Sequence, residues 1–77
     1  MKNDRNYVVK LVYSGDHWSE ISVMAGKYNW VDIIRPQVKS GVNQEIVFSK
    51  EKDVAGFLEE IISLDFIESV FISRKKA

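Results

Sequence analysis

The chain has 77 residues, enough for one small domain with a thin core. It contains no cysteine and one histidine, which removes disulfides, thiolate metal sites and any histidine-rich metal cage. Eleven Lys and Arg balance eleven Asp and Glu, so nothing here suits binding by phosphate neutralisation, and little repulsion keeps copies apart.

The first residues, Met-Lys-Asn-Asp-Arg-Asn, have no apolar stretch behind them, so no signal peptide is expected. No apolar run approaches the roughly 20 residues that cross a bilayer. With the lack of cysteine, this points to a cytoplasmic protein without a membrane partner. Tyr7 to Tyr13 is β-branched and aromatic with period two, and predicts a strand. Its alternation puts Tyr7, Val9, Leu11 and Tyr13 on one face and Val8, Lys10 and Val12 on the other. Ser14-Gly15 ends it. The period then changes: Trp18, Ile21 and Ala25 share one helical face, with Met24 alongside and Glu20 on the polar side. Asp16 is the expected N-cap, Trp18 the expected core anchor, and Gly26 the expected residue just past the helix end.

Tyr28 to Arg35 predicts a second strand, which Pro36 ends or confines to an edge. A turn at Ser40-Gly41 leads to a third strand, Val42 to Phe48, so the second and third form a hairpin. Ser49 is the expected cap of the next helix. There Val54, Phe57, Leu58, Ile61 and Ile62 recur at i, i+3, i+4, i+7 and i+8, the strongest helical signal in the chain. Phe66 to Ser73 predicts a last strand. Residues 1–5 and 74–77 are expected to be flexible ends of a single domain spanning 1–77.

The order β-α-β-β-α-β predicts an α+β, ferredoxin-like sandwich. Right-handed crossovers put both helices on one face of a four-stranded antiparallel sheet of order 4-1-3-2. The helix-facing side is expected to hold Val9, Leu11, Trp18, Ile21, Ala25, Ile46, Phe48, Phe57, Leu58, Ile61, Val70 and Ile72. The opposite face then carries Val8, Val12, Val31, Ile33, Val47, Ile67 and Phe71, with Lys10, Glu45 and Ser69. A solvated face should alternate to polar residues, so this apolar one predicts an interface, with a second copy making a homodimer or with a neighbouring domain. A slip of one residue in the second or fourth strand would move Ile33 or Phe71 into the core. Sheets of this type bind RNA through aromatics on the central strands; Val8, Lys10 and Val12 with Asn43, Glu45 and Val47 offer none.

The stretch Ser14-Gly15-Asp16-His17-Trp18-Ser19-Glu20 concentrates the polar chemistry. A small hydrolase of the acylphosphatase kind would need cationic groups to hold a phosphate in this first loop, and the loop has Asp16 and no arginine. Acid–base work by His17 needs a partner in a cleft, yet Asp16 and His17 are adjacent and their side chains diverge. No catalytic residue, metal or cofactor is therefore expected. A small hydrolase and an RNA-binding domain remain alternatives.

The architecture, with a glycine turn before the first helix, resembles the ACT-type regulatory domains that bind amino acids and other small metabolites. More narrowly, HWSEISVMAGKYNWVDI, EIVFS, the acidic second helix and FIESVFIS resemble the N-terminal domain of archaeal helix-turn-helix regulators of the bacterio-opsin-activator type. The resemblance covers nearly the whole chain and rests mainly on hydrophobic pattern plus Trp18-Ser19-Glu20. It implies a module for dimerisation, small-molecule sensing or both, within a transcriptional regulator whose DNA-reading part lies elsewhere. No helix-turn-helix follows Ser73, so the chain is expected to be an isolated N-terminal domain or a stand-alone relative. The implied ligand site is Ser14, Gly15, Asp16 and His17 with Asn29. Because Asp16 already brings negative charge, an amine-bearing metabolite suits the turn better than a phosphate. A purely structural interaction domain is the other reading.

Overall fold

The computed structural model describes residues 5–76. Strand β1 (Arg5–Tyr13) leads to helix α1 (Trp18–Ala25), strand β2 (Trp30–Ile34), a single 3-10 turn (Val38–Ser40), strand β3 (Gln44–Phe48), helix α2 (Glu51–Ile61) and strand β4 (Ile67–Lys76). All pairings are antiparallel, in the order β2-β3-β1-β4; counted from the β4 edge, the same sheet runs 4-1-3-2. This α+β arrangement is compatible with a ferredoxin-like sandwich.

Both helices lie on one face. Val9, Leu11 and Tyr13 of β1 and Ile46 and Phe48 of β3 form one cluster with Ile21 and Ala25 of α1 and Val54, Phe57 and Ile61 of α2. The rings of Phe48 and Phe57 meet at 5.4 Å between centroids. The described residues measure 17 Å along their shortest axis, the thickness of one sheet and one helix layer.

Tyr28 leaves the expected second strand. Its backbone N–H bonds to Ala25 O at 2.9 Å, and its ring lies across α2 at Gly56. A Cβ on Gly56 would stand 2.5 Å from that ring, so the close approach depends on glycine. The Tyr28 hydroxyl donates to Glu60, which also receives Lys27 Nζ at 3.1 Å. The bond from Tyr28, and then Lys27, hold the Glu60 carboxyl below its usual value. The same bond, followed by burial and the charges of Glu60 and Glu59, pushes the Tyr28 hydroxyl up.

The helix ends differ from expectation. His17, not Asp16, occupies the N-cap of α1, and no side chain caps it; Asp16 stands one position outside the place from which a side chain reaches the first free amides. Likewise Lys50, not Ser49, is the N-cap of α2, again without a side-chain cap. Gly26 does end α1, but in the right-handed region at φ −62°, its N–H shared between Ser22 O and Val23 O. In the first turn of α2, Asp53 is buried and its Oδ2 has no hydrogen-bond partner; the positive end of the helix is the favourable field available to it.

The strand ends differ too. Residues 5 and 74–76, expected in flexible ends, belong to strands: 74–76 lie in β4 and pair with Arg5, Asn6 and Tyr7 of β1; the other expected flexible positions, 1–4 and 77, lie outside the described residues. Val42 and Asn43 precede β3 rather than join it. Asn43 still ties the sheet together: its N–H donates to Leu11 O, and its Oδ1 accepts from Tyr13 N, each at 2.8 Å.

Candidate functional site

Ser14 leaves β1 with its N–H on Phe66 O at 3.2 Å. Gly15 then takes φ 84°, the left-handed region that favours glycine, and a Cβ there would stand 3.1 Å from His17 Nε2. The chain turns so sharply that the His17 ring folds flat onto Phe66, centroids 3.6 Å apart and planes 6° apart. His17 Nδ1 meets Glu20 Oε1 at 2.8 Å, and Tyr13 presents its ring at 6.0 Å. The imidazole is thus engaged on one face and at one nitrogen. Ser14, Gly15 and Asp16 are exposed.

Asn29, the remaining residue of the implied ligand site, stands at the opposite end of the domain. It precedes Trp30, which pairs with Phe48; Phe48 in turn pairs with Tyr7, at the far end of β1 from Tyr13. Six residues of strand, about 20 Å, separate those levels. The fold therefore brings Ser14 to His17 together and leaves Asn29 out. The reason is the crossover: α1 carries the chain the length of the sheet before β2 begins.

Trp18 is half-buried and stands outside the core cluster. The stripe it heads is real, but its first member sits at the mouth of the helix layer, where the Arg35 guanidinium covers the ring at 4.0 Å. A buried polar chain runs beside it. Tyr13 Oη donates to Gln44 Oε1 at 2.8 Å, and Gln44 Nε2 donates to Ser22 Oγ at 3.0 Å and Trp18 O at 3.4 Å. Gln44 is fully buried and fully engaged. Burial, then the charge of Asp16, push the Tyr13 hydroxyl up against the opposing pull of Arg35, so it stays a donor. Gln44 escaped the sequence reading because it is polar; its parity with Ile46 and Phe48 was the available signal.

The second candidate is the sheet face turned away from the helices. Val8 pairs with Val47 and Ser73, Lys10 with Glu45 and Phe71, and Val12 with Ser69. Paired residues point the same way, so all of these share the open face. Two expected members do not. Ile33 pairs with Ile46 and packs on the core, because a bulge between Trp30 and Asp32 shifts the phase of β2; Ile34 takes the open side instead, beside Glu45. Ile67 likewise packs on the core. It pairs with Tyr13 across an irregularity that leaves Glu68 as the extra residue. Val31 stays on the open face, where Asn6, Val8, Val31, Asp32, Ile34 and Val47 line a shallow hollow of about 240 Å³. Val8 and Val47 form its floor, 3% and 8% exposed, although no helix or strand among the described residues covers them. Around them Val31 is 52%, Ile34 38% and Phe71 55% exposed. Lys10, Asp32, Glu45 and Lys75 set both signs of charge around this patch.

Ile72, expected in the core, faces the helices yet is 49% exposed, because α2 packs over β1 and β3 and stops short of the β4 edge. No helix of the described residues is long and apolar enough to cross a membrane.

No family model matches the chain, and no curated protein matches it.

Proposed function

We propose that the chain is a non-catalytic association module, whose open sheet face packs against a second copy. The observation that supports it is the face itself: a valine floor ringed by half-exposed Val31, Ile34 and Phe71. Scattered surface hydrophobes are ordinary, but a contiguous set on one sheet face favours an interface. Opposite charges at its rim, Lys10 and Lys75 with Glu45 and Asp32, allow two copies to meet without like-charge contact. In a helix-turn-helix regulator, as the sequence resemblance suggests, such a module would join chains in the cytoplasm and set the spacing of their DNA-reading domains, itself touching no nucleic acid.

Val31→Asp is the test. The residue is half-exposed, so the fold should survive. A charge on the face should lower the mass of the associated species in light scattering. An unchanged mass would remove the sheet face from the interface. Metabolite sensing has weaker support, since His17 is engaged by Phe66 and Glu20 and Asn29 lies at the other end of the sheet. Thermal stabilisation by an amine-bearing metabolite at millimolar concentration, lost in Asp16→Ala, would restore it.

A further inference from the structure

The two edges of the sheet are built differently. β2 has five residues and carries a bulge, two devices that make an edge poor at pairing. β4 has ten residues and runs in unbroken register from Ser69 to Lys76 against β1. It is the last strand in the order, so its outer row of amides and carbonyls has no strand beside it among the described residues. Phe71 and Ile72 stand half-exposed there. A regular edge with an apolar centre, Val70 to Ile72, is a template for another strand over that stretch.

The sequence of β4 says which strand. Laid antiparallel on itself about Phe71, Glu68 falls opposite Arg74, Ser69 opposite Ser73, Val70 opposite Ile72, and Phe71 opposite its own copy. The inner pairs also share a face: Val70 and Ile72 lie on the helix side through Leu11 and Val9, and Ser69, Phe71 and Ser73 on the open side through Val12, Lys10 and Val8. The neighbouring twofold registers, centred on Val70 or Ile72, put Phe71 opposite a serine and Glu68 opposite Ile72 or Lys76. Only the register on Phe71 joins like with like in the middle and opposite charges at both ends. The bulge at Glu68 ends the regular edge where the pairing ends. Zero net charge opposes none of this.

We propose that two copies pair β4 to β4 about a twofold axis at Phe71, forming one eight-stranded sheet with a continuous open face. The proposal shares with the function above the premise that the chain is an association module, and it adds a second contact.

The experiment is sedimentation velocity over a concentration series, with wild type, Glu68→Arg, Arg74→Glu, the double variant, and Val31→Asp. All the substituted side chains are exposed, so folding should hold; far-UV circular dichroism checks it. Each single charge reversal sets like charges opposite at both ends of the seam and should raise the dimer Kd on the order of tenfold. The double variant swaps the pair and should return close to wild type. Overturning results are a wild type that stays monomeric at millimolar concentration, single variants with unchanged Kd, or a double variant as dissociated as the singles. If Val31→Asp dissociates the protein while the charge variants do not, the edge proposal falls and the sheet-face interface stands. The reverse pattern keeps the edge contact and removes the sheet face.

Discussion

Gly56 and Tyr28 are a residue-scale dependence that neither shows alone. Alanine is the better helix former by about 1 kcal/mol, yet its methyl would stand 2.5 Å from the Tyr28 ring. Gly56→Ala should therefore destabilise the fold by about 1–3 kcal/mol, because the ring must move and its bond to Glu60 goes with it. In a Tyr28→Ala background the same change should instead stabilise, by about 1 kcal/mol. Urea unfolding of the four proteins measures this change of sign. The Glu60 carboxyl, held low by Tyr28 and Lys27, contributes stability that is present above its unfolded value near 4.5 and lost as pH falls through the folded one. The Tyr28 hydroxyl, raised above 10.0, keeps its contribution until pH climbs past that value. The stability gap between wild type and Tyr28→Phe should thus be full at neutral pH and shrink below pH 4.5. A gap unchanged at pH 3 would mean that the bond does not depend on the ionised carboxylate.

At the scale of elements, α1 is the weakest piece. It has eight residues, no side-chain cap and no basic residue in its last turn. Helices this short depend on packing. Two side chains, Ile21 and Ala25, bury it, and the Gln44 chain fastens it to β1 and β3 through Ser22 and Trp18 O. Gln44→Leu should leave the Tyr13 hydroxyl and Ser22 without that partner and cost about 1–3 kcal/mol. Amide exchange should quicken first in α1, ahead of α2. Uniform acceleration across both helices would mean that the polar chain holds the whole core rather than one helix. Element types were legible in the sequence, from the alternation of Tyr7 to Tyr13 and the stripe Val54, Phe57, Leu58, Ile61. Their ends were less so. Asp16 and Ser49 are good capping residues by type, but each stands one position too early.

At the scale of the molecule, one sheet face is covered by helices and the other is left open by the described residues. If the open face and the β4 edge join copies, folding is coupled to concentration. The midpoint of thermal unfolding should then rise by roughly 3–5 °C for each tenfold increase in protein, and this dependence should flatten when the contacts are removed. A midpoint independent of concentration would argue that the folded monomer is sufficient.

The order of elements, the two-layer plan and most of the core follow from local pattern alone, because periods of 2 and 3.6 state which way each side chain points. The alternation also identified a face with too little polarity. What it could not state was phase across a bulge. One extra residue at Val31 and another at Glu68 reverse every side chain beyond them, so Ile33 and Ile67 went to the core and Ile34 to the open face. Nor could local pattern say that Asn29 lies a strand's length from Ser14, or that Arg35 covers Trp18. Those are distances between segments remote in sequence, and only the packed chain sets them.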